Sequence, residues 1–394
     1  NITAGAELPA DLKAGALTNN IDAASTLTIN WDIVANDVDM NQSGSMVING
    51  NLETTGGGVD IIDDDAADAG DFEVTGNVTL AGNLVANEGS NVTVGGTVAL
   101  GENQLLNVGD GDFSIAAVTA TVTAADPTPA PRDVVDNQGA GEMDIGDITI
   151  SPVTDGNSDD DALVAIIENS GTGDLLIGGN ISGNLVTVAD GGSNTDTLYI
   201  NLQTDMGNGI TVISADNSID NFVLNGTLTI NGDLIITNAR GAGTNHDNNN
   251  GTIDGSGTLI FADEGNDHTV NLAGTLPDLQ VDRQVTLNGT PTVDGNVDAN
   301  ATLVVGGAAT ITGNVDLTGT LDVGAETTIE GDINQSGSGA SEVDANLTVN
   351  GDWSNSSDST NNINAGTFDV DGTFSITGTG STILDVAAVF GGFN

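Results

Sequence analysis

The chain contains no cysteine and very few basic residues. Its 394 residues include 4 Lys plus Arg against 57 Asp plus Glu, which gives a formal net charge of -53 at pH 7. The lack of cysteine excludes disulfides and thiolate metal sites. A nucleic-acid partner is not expected, because binding to phosphates depends on Lys and Arg contacts.

Long apolar runs and aromatic side chains are scarce as well. No run approaches the roughly 18 apolar residues that a membrane-spanning helix needs, so membrane insertion is not expected. Phe, Trp and Tyr make up 3% of the chain, which leaves Val, Leu, Ile and Ala to fill the interior. The 55 glycines follow no three-residue period, so a collagen helix is excluded.

The main positive signal is an alternation with a period of two. From Leu303 to Gly331 every odd position except Thr327 is apolar or small, whereas the even positions are mostly polar. This pattern is typical of a strand with one buried and one solvated face. A single strand of that length would span roughly 100 Å, far more than the usual 5 to 6 residues. The chain must therefore bend repeatedly without losing its phase.

Small residues at every sixth position mark where the bends are expected. They are Gly289, Gly295, Ala301, Gly307, Gly313, Gly319, Ala325, Gly331 and Gly337. At such an inward position a larger side chain would clash or force an unfavourable φ. Three flat faces between bends give a turn of about 18 residues that hydrogen-bonds to the next turn. The prediction is an all-β fold, a single-stranded parallel β-helix (solenoid).

Antiparallel hairpins are the alternative fold. Asn-Gly pairs, which favour two-residue hairpin loops, occur at Asn49-Gly50 and Asn350-Gly351 among other places. The unbroken phase from Gly289 to Gly337 favours the solenoid over separate hairpins.

Residues 293–333, VDGNVDANATLVVGGAATITGNVDLTGTLDVGAETTIEGDI, resemble the repeating coils of bactofilins and of β-helical surface adhesins. Bactofilins are polymer-forming scaffolds, so the resemblance implies a right-handed β-helix and end-to-end assembly. The chain departs from bactofilins in its larger size and its acidity, which argues against a cytoskeletal location.

Composition shifts predict five segments within one elongated body. Residues 1–24 form an N-terminal arm or cap, with a short amphipathic helix or arm predicted over Ala6 to Asn19. Residues 25–122 and 143–382 are β-solenoid. Residues 123–142 contain three prolines and form an excursion from one corner or a linker. Residues 383–394 are an apolar cap or assembly segment.

Two acidic clusters are candidate Ca²⁺ sites, because carboxylate oxygens at loop corners suit this ion. The candidate ligands are Asp60, Asp63, Asp64, Asp65, Asp68, Asp159, Asp160 and Asp161. Neither cluster has an EF-hand pattern. The alternative is a solvated acidic surface without a specific cation.

An enzyme is not predicted, although secreted β-helices include polysaccharide lyases and hydrolases. The stretch Asn194 to Asp196 and the acidic run 159–161 match two fragments of polygalacturonase-like sites. The histidine and Arg/Lys motifs of such sites have no counterpart, since the two histidines are His246 and His268.

These observations together predict a secreted structural protein at the cell surface. The chain begins at Asn1 rather than Met, which suggests a processed N-terminus. The expected partner is the chain itself, as a head-to-tail homopolymer that forms a filament, sheath or surface layer, with its acidic faces bridged or screened by cations. The alternative is a β-helical adhesin or a stalk that binds surface glycans.

Overall fold

A computed structural model describes the backbone of most of the chain. The described residues are 11–13, 15–19, 25–40, 44–61, 70–87, 89–123, 131–153, 162–183, 187–189, 195–204, 210–215, 217–224, 226–237, 245–247, 251–263, 266–364 and 366–393. All the regular secondary structure in these residues is β-strand, so the all-β prediction is confirmed. None of the described residues forms a helix that could cross a bilayer. The contacts divide the chain into unit 1, Asn1–Ala215, and unit 2, Asp216–Asn394.

Unit 1 contains the strands β1 to β22. They are Asp11–Lys13, Ala16–Asn19, Thr26–Ile29, Asp32–Ala35, Asp37–Met40, Ser45–Ile48, Leu52–Thr54, Val59–Ile61, Phe72–Val74, Val78–Thr79, Leu84–Ala86, Val92–Gly101, Leu105–Asn107, Phe113–Thr123, Arg132–Asn137, Met143–Val153, Ala162–Asn169, Leu175–Ile177, Ile181–Ser182, Thr187–Ala189, Thr195–Thr204 and Ile210–Ile213.

Unit 2 contains the strands β23 to β48. They are Asn217–Ile219, Asn221–Leu224, Thr227–Ile230, Leu234–Ile236, Asn245–Asp247, Thr252–Gly255, Thr258–Phe261, His268–Leu272, Thr275–Leu276, Asp278–Val281, Val285–Gly289, Thr292–Val293, Val297–Ala299, Thr302–Val305, Ala309–Ile311, Val315–Leu317, Thr320–Val323, Thr327–Ile329, Ile333–Gln335, Ala340–Val343, Leu347–Val349, Trp353–Asn355, Thr360–Ile363, Phe368–Ile376, Ser381–Leu384 and Ala388–Phe393.

The strands of the regular stretch pair in parallel at a fixed offset. β34 pairs with β37, β35 with β38, and β36 with β39. Side chains that bond across these pairs lie 18 residues apart, the predicted length of one turn. Three consecutive strands therefore form one rung that pairs with the next rung. Parallel pairing excludes hairpins here. The described strands of unit 1 also pair in parallel, except β20 with β21, which are antiparallel.

The predicted inward positions of this stretch are confirmed, because two residues in each group of six are buried. The buried residues are Leu303, Val305, Ala309, Ile311, Val315, Leu317, Leu321, Val323, Thr327 and Ile329. The residues between them are half-buried, as Thr310 and Thr328 are, or exposed, as Asp316 and Glu326 are. The core of the stretch is therefore a stack of aliphatic layers, each contributed by one rung.

The sixth-position glycines do not point inward, which corrects the sequence prediction. Gly307, Gly313, Gly319 and Gly331 lie partly exposed at the corners between strands. A Cβ at Gly319 would lie 2.6 Å from the carbonyl carbon of Ala301 and closer still to its oxygen. These corners need glycine because the neighbouring rung approaches closely along the stack. Among the nine markers, the glycines with a positive φ are Gly289, at 85°, and Gly337, at 59°.

Asn and Asp side chains link successive corners of unit 2. The Oδ1 of Asn296 accepts the backbone N–H of Asn314 at 3.0 Å, and the Oδ1 of Asn314 accepts that of Asp332 at 2.8 Å. Asp332 continues the series to Asp352 at 2.8 Å. Each corner N–H of this series, which we call the corner ladder, thus has a partner in the preceding rung.

The helix predicted over Ala6 to Asn19 is wrong for its described part. Asp11–Lys13 and Ala16–Asn19 are strands β1 and β2, which pair in parallel with β4 and β5. A helix this short is marginal in water, whereas the edges of β4 and β5 offer a ready set of hydrogen bonds. Residues 1–10 lie outside the described residues.

Of the proline-containing segment 123–142, residue 123 and residues 131–142 are described. Arg132–Asn137 form β15, which pairs with β13 and β17. The pairing of β15 with β13 places Asn137 beside Asn107, and both side chains are buried. The prolines at 127 and 129 lie outside the described residues. The predicted segment boundaries stay predictions.

Candidate functional surfaces

Asp60 is the predicted Ca²⁺ ligand that lies within the described residues. It is exposed on β8 and pairs with Asp39 on β5. Burial and the nearby carboxylates of Asp37 and Asp60 raise the pKa of Asp39. The other predicted ligands, Asp63, Asp64, Asp65, Asp68, Asp159, Asp160 and Asp161, lie outside the described residues. Within the described ranges, no group of three or more His, Cys, Asp or Glu side chains could hold a metal ion. The Ca²⁺ sites stay a prediction.

Carboxylates stack on top of one another where parallel strands place equivalent positions in register. Asp298 pairs with Asp316 on the next rung. Burial and the carboxylates of Asp316 and Asp282 raise the pKa of Asp298. Burial and three neighbouring carboxylates likewise raise the pKa of Glu142 in unit 1. Carboxylates stacked in this way repel one another, and mobile cations can screen the repulsion.

Arg283 and His268 each have a partner within unit 2. The Nε of Arg283 pairs with the Oδ1 of Asp267 at 3.0 Å on the surface. His268 is fully buried, and its ring packs edge-on against Phe261 at a centroid distance of 4.8 Å. Burial lowers the pKa of His268 to about 4, so the ring is neutral at pH 7. Asn194 lies outside the described residues.

The last strands of unit 2 present an apolar edge, defined here by Ile383, Leu384, Val389 and Phe393. Their side chains are 47%, 38%, 58% and 64% exposed. Leu384 is in register with the buried Ile363, which occupies the inward position on the preceding rung. In the described residues β47 pairs only with β45, and β48 only with β46, so each has an open edge.

Aromatic rings stack beneath this apolar edge. Phe374 lies 5.1 Å from Phe390 and 5.9 Å from Phe393 between ring centroids, in both cases nearly parallel. Trp353 packs edge-on against Phe374 from the preceding rung at 5.6 Å. The aromatic residues of a chain that has few of them are therefore concentrated where the stack is open. Aromatic side chains bury large apolar areas, so covering this edge would be favourable.

A buried polar cluster lies under Trp353, and the sequence analysis missed it. The Nε2 of Gln335 donates to the Oδ1 of Asn361 and to the carbonyl of Gly339, both at 2.7 Å. The Nε1 of Trp353 donates to the Oε1 of Gln335 at 3.3 Å. The only sequence signal is that the polar Gln335 occupies an odd position, where the alternation otherwise places an apolar or small residue. The cluster fixes the register of the longer rungs, since each donor must meet its acceptor.

One outward face of unit 2 carries threonine instead of carboxylate, and we call it the threonine face. It consists of Thr275, Thr292, Thr310, Thr328 and Thr348, which occupy equivalent register positions on five successive strands. All five are half-buried. Beside them lies an open groove of about 250 Å³, lined among others by Thr290, Pro291, Ala308, Ala309 and Glu326.

A scan against protein-family models and searches of curated proteins and of solved structures returned no match for this chain.

Proposed function

We propose that each unit winds as a right-handed, single-stranded parallel β-helix, and that the chain is a structural subunit of an extracellular filament, sheath or surface layer. The regular pairing of every third strand supports the winding. Parallel strands joined by crossovers are nearly always right-handed. The extracellular location rests on the absence of cysteine and the low content of basic residues.

The apolar edge carries the proposal of end-to-end assembly. Covering it with strands of a second copy would pair the open backbone edges of β47 and β48. It would also bury Leu384 and Phe393, which are in register with the buried Ile363 and Phe374. Asp385 is the only charged residue between Ser381 and Phe393, so two copies can meet here in spite of a net charge of -53. β1 and β2 are the complementary edge, because each of them has one partner among the described strands. Such a head-to-tail contact repeats without closing and gives a fibre.

Cations would set the balance between single chains and fibres. The stacked carboxylates repel a second copy, and this repulsion is screened within a Debye length of about 10 Å at 0.1 M salt. A divalent cation would also bridge carboxylates on adjacent copies. Filaments should therefore form at lower ionic strength with Ca²⁺ than with Na⁺.

Electron microscopy and sedimentation of edge variants test the proposal. Leu384→Asp with Phe393→Asp places two charges in the apolar edge and should abolish filaments. Val153→Asp is the matched control, because Val153 on β16 of unit 1 is 41% exposed, close to the 38% of Leu384. Filaments that persist in the edge variant, or a wild-type chain that stays single with every cation, would contradict end-to-end assembly.

The adhesin or glycan-binding stalk stays a prediction. It would be indicated by single chains that bind an isolated surface glycan and do not polymerise.

A further inference from the structure

Charge distinguishes the threonine face from the other outward faces of unit 2. The face that includes β35 and β38 presents Asp298 and Asp316, and the face that includes β39 and β42 presents Asp322 and Glu342. Two copies that met through either of these faces would place like charges opposite one another, which is destabilising. The threonine face avoids this, since its five central residues are uncharged.

The carboxylates that border the threonine face lie at its margins. Two of them are already hydrogen-bonded within the chain. Asp294 accepts a hydrogen bond from the Oγ1 of Thr312 at 3.2 Å, and Glu330 accepts one from the Nδ2 of Asn350 at 2.5 Å. Glu326 lines the groove. A partner can therefore contact the central threonines while Asp294 and Glu330 stay at the solvated rim.

The shape and repeat of the face fit a second copy of the same surface. Threonines on successive strands recur about every 4.8 Å, and any copy of the chain has the same repeat, so its methyl and hydroxyl groups can meet equivalent groups along the whole length. Ala308 and Ala309 line the groove, and their small side chains leave room for an opposing threonine methyl. Each threonine hydroxyl can both donate and accept a hydrogen bond.

A similar surface occurs independently in unit 1. Thr79, Ala99, Thr119, Thr149 and Ser182 occupy equivalent register positions on successive strands and carry no charge. The hydroxyls of Thr149 and Ser182 lie 3.0 Å apart. Each uncharged column ends at a carboxylate, since Glu53 is in register with Thr79 and Asp369 with Thr348. Between these ends the columns differ from the carboxylate stacks around them.

We propose that the threonine face is a lateral docking surface for the threonine face of a second copy, by which end-joined filaments pack side by side. This inference rests on the proposed function, because one contact is small. Five strands span roughly 20 Å, so each copy would bury a few hundred Å², below the roughly 800 Å² per partner of a stable interface. Filaments repeat the contact many times, and multivalency then gives a stable bundle.

Clustering of coated beads tests the lateral contact apart from filament formation. Chains that carry the edge substitutions Leu384→Asp and Phe393→Asp are attached densely to beads through a biotin at the N-terminus, so that the beads supply the multivalency. Clustering is followed by turbidity up to about 1 M NaCl, where the Debye length is about 3 Å. Beads with this parent should cluster at high salt and disperse when salt is removed.

The decisive variant adds Thr310→Glu and Thr328→Glu to the parent and should lose clustering at every salt concentration. The matched control adds Asn334→Glu and Ser354→Glu, two exposed positions on adjacent strands of an acidic face, and should cluster like the parent.

Circular dichroism melts check folding, and the single variant Thr310→Glu replaces the pair if the pair melts early. Parent beads that never cluster, or a threonine variant that clusters like the parent, would overturn the proposal. Clustering that requires an added polysaccharide would also overturn it and would indicate a glycan partner. End-to-end assembly is judged separately, from the filaments of the edge variant.

Discussion

Replacing one corner glycine tests whether the sixth-position residues are fixed by close approach between rungs. In Gly319→Ala the new methyl would lie 2.6 Å from the carbonyl carbon of Ala301, which is backbone and cannot rotate away. The rungs must separate locally, and overpacking of this kind costs about 1–3 kcal/mol. For a unit of this size the melting temperature should fall by roughly 2–12 °C.

Gly324→Ala is the matched control, five positions along the same stretch. Its methyl would meet only the carbonyl oxygen of Val305, at 3.5 Å, which is ordinary contact. Neither glycine has a positive φ, so alanine adds no backbone strain at either site. Restricting the unfolded chain should make this variant neutral or more stable by about 0.4–1 kcal/mol. Thermal and urea unfolding followed by circular dichroism measures both. Equal stability of the two variants would refute the explanation of the six-residue period.

Three further predictions concern acid, charge and the corner ladder. Acidification from pH 6.5 to about 4 should lower the free energy of unfolding of the wild type by about 3 kcal/mol more than that of His268→Leu. The unfolded imidazole takes up a proton in this range, whereas the buried ring, with a pKa of about 4, does not. Parallel pH curves of the two proteins in urea unfolding would contradict this. Asp298→Asn should be more stable than wild type at pH 7 and lose that advantage at low pH, because a carboxyl whose pKa is raised on folding is destabilising when ionised and not when protonated; thermal melts at both pH values check the sign. Asn314→Ala should lower the free energy of unfolding by about 0.5–1.5 kcal/mol, since the N–H of Asp332 loses its acceptor. Asn314→Asp keeps an acceptor oxygen and should melt close to wild type.

The regular stretch of unit 2 could be predicted from the sequence because its signal is local. Alternation from Leu303 to Ile329 decides which residues face inward, and the period of six decides where the chain bends. The same signal does not tell what the bends contact. The glycines were therefore placed inward, whereas the atoms that exclude a side chain belong to the preceding rung, 18 residues away.

The irregular parts could not be predicted, because partners there depend on the number of residues in each corner. Asn107 and Asn137 face each other only because the intervening segment brings β15 beside β13. Gln335 and Asn361 bond over a separation of 26 residues, which no fixed period suggests. The strands β1 and β2 were mistaken for a helix because their pairing partners, not their own residues, decide their conformation.

The corner ladder also affects how such a chain can change in length. Each ladder residue, such as Asn314, accepts a hydrogen bond from the following rung and donates one to the preceding rung. Duplication or loss of one 18-residue rung would join a donor to an equivalent acceptor, so every remaining corner would keep its partner. A gene that encodes this stack can therefore gain or lose whole repeats by unequal recombination without needing a compensating mutation. The link from Asp332 to Asp352 spans 20 residues and keeps the same hydrogen bond, so a rung can also lengthen by two residues without losing its corner partner.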